Sequence, residues 1–253
     1  MVFKSASLLN LCILMFFSTH AFGQQCNVLK VGSIQDWHPV TYIDSQSGAV
    51  RGIANDLARL LGQELGIPVE IDIETPWSRM LHNVQSGQLD MVSALYWTSE
   101  RDRLYLYTRP YFVNQARAFV PKGKEFPFSQ LADLKGRTGV VPLGGSFGEE
   151  FDTFRVEHKL KLIAVETKEQ KGKMILAGRA DYFIHDYLDG ISYLKRYDLM
   201  EEIVALPHPI SITEVYFAFS RQSPCVELLP RVNRIIDKAK SDGTLQSIID
   251  GYF

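Results

Sequence analysis

The sequence is short of cysteine, of clustered histidine and of long apolar segments, and each shortage excludes a class of protein. It has three cysteines and six histidines, and the histidines are too dispersed for the short ligand spacings of a zinc site. Neither sign of charge dominates, since 27 Lys and Arg residues stand against 29 Asp and Glu residues, so the chain offers no basic footprint for nucleic acid. We therefore expect no metal, no cofactor and no nucleic-acid partner.

The N-terminus is the one strongly apolar region. Lys4 precedes an apolar run from Leu8 to Phe17, and the small-residue stretch at 21–23 suits a cleavage site. This pattern predicts a secretory signal peptide over residues 1–23, cut before Gln24, and hence a periplasmic protein. A lipoprotein is disfavoured because Cys26 follows two glutamines. No later segment approaches the ~18 apolar residues of a membrane span, so the mature chain is predicted not to cross the bilayer.

Two cysteines, Cys26 and Cys225, remain in the mature chain. In an oxidising compartment such a pair can form one disulfide between the mature N-terminus and the C-terminal region. Sequence does not set the distance between them, so two unrelated thiols remain the alternative.

Segments with strand and helix patterns alternate from Val28 onward. The stretch GIANDLARLLGQELG places five apolar residues on one helical stripe before Gly66 and Pro68, and VEIDIE then alternates as a strand. Strands of this kind, alternating with helices of 8 to 15 residues, predict an α/β fold with mostly parallel sheets flanked by helices. The mature length of roughly 230 residues suits one large domain or two smaller ones.

In open α/β sheets, ligands bind at the carboxyl ends of strands, where helix N-termini and loop amides converge. Aromatic residues occupy two such positions. Trp37 lies in Asp36-Trp37-His38-Pro39 directly after the first predicted strand, and Trp77 begins the helix after VEIDIE. Each ring either closes over a ligand or simply packs in the fold.

Arg101 follows the strand LDMVSAL and lies in the first turn of TSERDRLY. A cation near a helix N-terminus opposes the helix dipole, so helix energetics do not favour it there. A ligand carboxylate would remove that objection, because a guanidinium binds it in bidentate fashion. The alternative is a surface ion pair with Glu100 or Asp102.

The loop at 144–148, GGSFG, lies between a strand and a helix. Read as G-x-S-x-G, it matches a nucleophile elbow, for which Asp181 or Asp186 and His208 have the required chain order. We favour the other interpretation, in which Gly145 and Ser146 donate hydrogen bonds to an anionic ligand.

Asp181 and Asp186 flank the predicted strand YFIH. Asp186 follows the strand, where its carboxylate could receive a ligand ammonium. A solvated loop aspartate is the alternative for either residue.

In this order the segments resemble the periplasmic solute-binding proteins for polar amino acids, the receptors of bacterial ABC importers. The resemblance covers Leu29 to Phe253. It is carried by GIANDLARLLGQELGIPVE, TPWSRMLHNVQSGQLDMVSAL, TSERDRLYLYTRPYF, LADLKGRTGVV, LAGRADYFIHD and SDGTLQSIIDGYF.

The resemblance implies two lobes that close around a ligand. Lobe 1 would hold residues 27–118 and 214–253, and lobe 2 would be inserted at 119–213. The expected partners are a small zwitterionic or carboxylate ligand and an ABC transporter permease.

The family's site residues map onto this chain by position. Arg101 matches the clamp for the ligand's α-carboxylate, and Asp186 matches the acid that takes the α-ammonium. Gly145 and Ser146 match the lobe-2 loop, whereas Trp37 and Trp77 fall where rings flank the ligand. Tyr96 departs from the family, which usually has Ser or Thr there, and is expected to reshape the pocket.

Two further functions remain open on the same fold. One is a dehydratase of the cyclohexadienyl-acid type, in which a cleft acid would donate a proton to the leaving group. The other is a sensory binding module whose closure reports to another protein. We expect a binding protein rather than an enzyme.

Overall fold

The computed structural model describes residues 25–253, so the predicted signal peptide at 1–23 lies outside the described residues. The strands are β1 Leu29–Gly32, β2 Asp36–Trp37, β3 Thr41–Ile43, β4 Val50–Arg51, β5 Val69–Asp72, β6 Met91–Tyr96, β7 Tyr105–Tyr107, β8 Phe112–Pro121, β9 Thr138–Pro142, β10 Lys161–Val165, β11 Tyr182–Asp186 and β12 Ile203–Ser220. The α-helices are α1 Ile53–Leu65, α2 Trp77–Gln85, α3 Ser99–Asp102, α4 Glu149–Glu157, α5 Lys168–Leu176, α6 Tyr187–Arg196, α7 Leu229–Ser241 and α8 Thr244–Asp250.

Helix α1 forms as its apolar stripe predicts. Its buried face includes Ile53, Leu57, Leu61 and Leu65, spaced three or four residues apart. Gly66 ends the helix in the left-handed conformation, with φ of 74°. Its N–H donates to the Gly62 carbonyl at 2.9 Å, which satisfies a carbonyl of the last turn.

One large sheet has the strand order β10-β9-β11-β8-β12-β6-β1-β5, and β7 pairs with β12. The pairs β1/β5, β1/β6, β9/β10 and β9/β11 are parallel. The long strands β8 and β12 run antiparallel to each other between these two groups. Helices flank the sheet, and the predicted α/β class with parallel sheets is confirmed.

The long strands differ from their predicted lengths. The segments RAFVP (117–121) and ITEVYFAFS (212–220) have the pattern of strands and predict only part of each, since β8 has 10 residues and β12 has 18. Polar residues such as Asn114 and the His-Pro segment at 208–209 obscure the pattern, and the pairing of β12 with β8 shifts register around Pro209. The segment SQLADLKG has the pattern of a short helix but forms only a 3-10 turn at Leu131–Leu134.

The buried apolar residues form two separate groups along the chain. Two core clusters draw their buried members from 29–112 and 215–245, and two others draw theirs from 116–210. This division is compatible with two lobes. The lobe boundaries at 118 and 214 remain a prediction.

Cys26 and Cys225 are joined by a disulfide, with their Cα atoms 4.8 Å apart. The bond links the residues before β1 to the 3-10 turn Pro224–Leu228, which precedes α7. Both cysteines pack against the core that holds α1 and α7. Across residues 25–253, no helix combines the length and apolar character needed to cross a membrane.

Candidate functional site

A cavity of about 250 Å³ opens where several strands end. Its walls include the last residues of β6, β9 and β11, together with the first residues of α2 and α5. Carboxyl ends of strands and N-termini of helices place backbone N–H groups and loop side chains around a common space. The cavity therefore lies where the sequence predicted a site.

All seven residues predicted to bind a ligand line this one cavity. They come from segments far apart in the chain and are Trp37, Trp77, Tyr96, Arg101, Gly145, Ser146 and Asp186. Asp181 and His208 are not among the lining residues.

Arg101 is held at the cavity by its own short helix. Thr98 caps α3, and its hydroxyl accepts a hydrogen bond from the Arg101 backbone N–H at 3.2 Å. The guanidinium is half-buried and donates to the Tyr96 carbonyl at 3.2 Å. Burial lowers the pKa of Arg101, and nearby Tyr107 and Asp152 partly offset that effect.

The surface ion pair proposed as an alternative for Arg101 is not formed. Within residues 25–253, no carboxylate lies at ion-pair distance from its guanidinium. Asp102 instead accepts a hydrogen bond from the Trp97 indole at 3.2 Å. Arg101 thus retains donors that face a cavity rather than a protein carboxylate.

Tyr96 connects the end of β6 to the end of β11. Its hydroxyl donates to Asp186 at 2.7 Å and accepts from the Asn114 side chain at 2.9 Å. Its ring is buried and packs edge to face against Trp37, with centroids 5.4 Å apart. The phenol therefore occupies space and hydrogen-bonding capacity that a serine or threonine would leave free.

Asp186 is buried at the end of β11, immediately before α6. Loss of solvent raises its pKa to about 7, and the charge of Asp189 adds to this effect. The Tyr96 hydrogen bond and the two lysines at 168 and 171 oppose the rise. Near neutral pH the carboxyl group therefore divides between its charged and neutral forms.

Sequence reasoning missed a buried charge network on α5 and α6. Asp189 accepts from the Lys168 ammonium at 2.7 Å and from the His38 backbone N–H at 3.1 Å. Lys168 also lies 3.0 Å from Asp36. Burial alone would raise the pKa of Asp189, but Lys168 and His185 hold it well below its ordinary value.

His185 and Lys171 complete this network. The Lys171 ammonium lies 3.1 Å from His185 Nδ1, and both side chains are buried. Burial lowers the pKa of Lys171 to about 7, and burial followed by the charge of Lys171 lowers that of His185 to about 4. The neutral imidazole places Nε2 2.8 Å from Asp189, too obliquely for an aligned hydrogen bond.

One sequence signal could have suggested Lys168. Thr167 caps α5, with its hydroxyl accepting from the Gln170 N–H, so Lys168 begins a helix directly after a strand. Polar groups at such strand-to-helix junctions are candidates for ligand contact. Its acidic partner Asp189 is 21 residues away in the sequence.

The loop at 144–148 does not assemble a catalytic triad. The Ser146 hydroxyl donates to Asp152 and accepts from the Gly148 N–H, the latter at 3.1 Å. His208 packs against the Phe128 ring, with centroids 5.9 Å apart. The nucleophile-elbow alternative is therefore not supported, because the Ser146 hydroxyl donates to Asp152 in the first turn of the following helix and no histidine serves as its base.

The cavity lining holds cationic side chains together with four carboxylates, those of Asp36, Glu166, Asp186 and Asp189. Among residues 25–253, no group of three or more His, Cys, Asp or Glu side chains is arranged to hold a metal. Arg101, Lys168 and Lys171 instead bring cationic donors to the lining.

Comparisons with known proteins agree with this geometry. The sequence model of the family "Bacterial extracellular solute-binding proteins, family 3" matches residues 29–253. The L-cystine-binding protein TcyA of Bacillus subtilis (strain 168) is 27% identical over 89% of this chain and 81% of its own. The L-cystine-binding protein TcyJ of Escherichia coli (strain K12) is also 27% identical, over 89% of this chain and 82% of its own.

A solved structure with similar architecture is the ancestral amino acid-binding protein AncCDT-1, described as a precursor of cyclohexadienyl dehydratase. It is 25% identical to this chain and has a TM-score of 0.72, covering 90% of this chain and 96% of its own.

Proposed function

We propose, since the chain belongs to the bacterial extracellular solute-binding proteins of family 3, that it captures an amino acid or related small carboxylate and delivers it to an ABC transporter. The ligand would bind in the cavity lined by Arg101 and Asp186. Capture outside the cytoplasm is a property of the family, and a periplasmic location follows from the predicted signal peptide.

The main support for the proposal is the environment of Arg101. The residue is a half-buried cation beside aromatic rings, and its donors have no carboxylate partner within residues 25–253. A guanidinium in this position gains most from a ligand carboxylate, because the fork binds both oxygens in a partly desolvated site. Gly145 and Ser146 also line the cavity, but the Gly145 N–H donates to the Pro142 carbonyl and the Ser146 hydroxyl donates to Asp152, so Arg101 would be the principal anchor for the anionic group.

The proposed motion is closure of two lobes over the cavity. The lobe boundaries carried from the family would place Arg101 and Tyr96 in lobe 1 and Asp186 in lobe 2. The separate cores at 29–112 with 215–245 and at 116–210 support such a division. Closure would surround the ligand and present a distinct shape to a permease.

Isothermal titration with Arg101→Gln tests the proposal. The panel contains L-cystine, which the relatives TcyA and TcyJ are named for, the proteinogenic amino acids and small carboxylates. We expect at least one compound to bind the wild type, and Arg101→Gln to weaken it about 100-fold or more.

Arg103→Gln is the matched control, because Arg103 is exposed at the end of the same helix and does not line the cavity. Binding that survives Arg101→Gln unchanged would contradict the proposed clamp. Native mass spectrometry of protein purified without refolding would identify a ligand retained from the cell.

A second candidate function is a dehydratase of the cyclohexadienyl-acid type. The observation that favours it is Asp186, whose pKa is raised to about 7 by burial beside a carboxylate clamp. A carboxyl group with that pKa can donate a proton at neutral pH. The similarity to a dehydratase precursor adds support. Absence of product formation from prephenate, followed by absorbance, would remove this candidate.

A further inference from the structure

Asp186 is engaged by the protein itself at the position where an amino-acid ligand would place its ammonium group. The Tyr96 hydroxyl donates to it at 2.7 Å, and Asn114 donates in turn to Tyr96 at 2.9 Å. All three side chains are buried. An incoming ammonium would have to share Asp186 with the Tyr96 hydroxyl, which occupies Oδ1, or displace it.

Two further acceptors near Arg101 and Asp186 are engaged as well. The Tyr96 carbonyl accepts from both Arg101 and the Tyr107 hydroxyl, each at 3.2 Å. Asp189 accepts from Lys168 and from the His38 N–H. A cationic group on the ligand would have to share these acceptors with the donors already bound to them, or displace a buried donor from its partner.

Two donors at the cavity, those of Arg101 and Trp37, lack a full set of protein partners. The Lys171 side chain already lies 3.1 Å from His185 Nδ1. The Arg101 guanidinium lines the cavity and has no carboxylate at ion-pair distance in the described part of the chain. The buried Trp37 indole N–H likewise has no acceptor there. Donors without acceptors are satisfied by an anionic, oxygen-bearing ligand and not by an ammonium group.

The remaining walls are apolar. Trp37, Trp77 and Phe147 bring three large rings to the lining, and Tyr96 adds the apolar part of its own ring. Such walls suit an apolar or aromatic ligand body placed beside the carboxylate.

We infer that the preferred ligand is a carboxylate with no α-ammonium group, a deamino or 2-oxo acid with an apolar body, because Tyr96 takes the ammonium-accepting position on Asp186. The inference rests on the proposed function and specifies its ligand class. Arg101 binds the carboxylate, whereas Tyr96 excludes the amino acid with the same side chain.

The experiment is isothermal titration with matched ligand sets. Each L-amino acid is compared with the deamino acid and the 2-oxo acid of the same side chain, for example phenylalanine, 3-phenylpropanoate and phenylpyruvate. We expect the tightest ligand to lack the ammonium group and to bind at least about 10-fold more tightly than its amino acid, the cost of one displaced buried hydrogen bond.

Variants test the role of Tyr96 in selecting the ligand class. Tyr96→Thr frees Asp186, so the ratio of amino-acid to deamino-acid affinity should rise at least about 10-fold. Tyr197→Phe is the matched control, because it removes a tyrosine-to-carboxylate hydrogen bond of 2.7 Å to Glu169 outside the cavity. That control should leave the ratio unchanged.

Each outcome has a distinct meaning. Tighter binding of an α-amino acid to the wild type, abolished by Arg101→Gln, would overturn the ligand class and leave the proposed function standing. Failure of every compound to bind at millimolar concentration would overturn both. The wild-type comparison decides the question even if Tyr96→Thr does not fold.

Discussion

Asp186 loses its solvent on folding and gains the neutral Tyr96 hydroxyl as a hydrogen-bond donor. Its pKa moves from an ordinary 3.8 to about 7 in the folded protein. The folded state therefore holds a proton that the unfolded state releases between these two values. The free energy of unfolding must therefore fall as pH rises through this window, and this decrease is complete above pH 7.

Asp186→Asn should consequently stabilise the protein in alkaline but not in acidic buffer. The amide keeps an acceptor for Tyr96 and removes the buried charge. We expect a gain of the order of 1–4 kcal/mol at pH 8 and little change at pH 4, measured by urea unfolding without ligand.

Asp181→Asn, at an exposed position five residues earlier, is the matched control for the unfolding measurements at pH 8 and pH 4. A variant less stable than the wild type at pH 8, with no loss at pH 4, would show that the Asp186 charge is favourable in the fold.

Single-residue reasoning found the cavity residues that lie at strand ends and missed those whose role depends on distant partners. Arg101, Asp186 and Trp77 follow strands or begin helices, so their positions could be predicted. Asp189 could not, because its neighbours come from His38 and Lys168, 151 and 21 residues away. The Tyr96–Asp186 hydrogen bond spans 90 residues and was equally hidden.

At the scale of elements, amphipathic helices and buried parallel strands were predictable because their burial repeats with the period of the structure. The α1 stripe is an example. The three short strands β2, β3 and β4 escaped prediction, since two or three residues are too few to show alternation. The full lengths of β8 and β12 also escaped, because both strands include polar residues and β12 contains register shifts.

The packing of α6 on β8 depends on a glycine. A β-carbon at Gly190 would lie 2.2 Å from Phe119 Cζ. Phe119 cannot easily move away, because its ring stacks on Phe183 with centroids 4.9 Å apart and planes inclined by 4°. The close approach positions α6, which carries Asp189 and follows Asp186.

Gly190→Ala should therefore destabilise the protein although alanine favours helix. Overpacking a core costs about 1–3 kcal/mol, against a helix-propensity gain of roughly 1 kcal/mol, so we expect a net loss measurable by urea unfolding. Lys195→Ala on the exposed face of α6 is the control and should change stability by less than about 0.5 kcal/mol. Equal or greater stability of Gly190→Ala would mean that the two rings adjust freely.

At the scale of the whole molecule, the proposed lobes meet through polar contacts around the cavity. Tyr96 reaches Asp186, the His38 N–H reaches Asp189, and Lys168 lies 3.0 Å from Asp36. These contacts join residues within 29–112 to residues within 116–210. They are specific and polar, as expected of surfaces that must separate and rejoin while each core stays intact.

A further polar contact between the proposed lobes is exposed to solvent and lies outside the cavity. Glu149, at the first turn of α4, accepts from the Ser99 backbone N–H at 2.9 Å and from its hydroxyl at 2.6 Å. These hydrogen bonds join α3, which carries Arg101, to the helix that follows the Ser146 loop. Because both side chains are exposed, they can exchange this contact for water without loss of either fold.

Glu149→Ala should therefore favour an open form without altering the ligand contacts. We expect a larger radius of gyration of the ligand-free protein in small-angle scattering and a ligand dissociation rate raised about two- to ten-fold, with little change in the association rate. Glu150→Ala, at the exposed neighbouring position, is the matched control. An unchanged radius together with an unchanged dissociation rate would mean that closure is held by the cavity contacts alone, with Tyr96 and Asp186 as the principal pair.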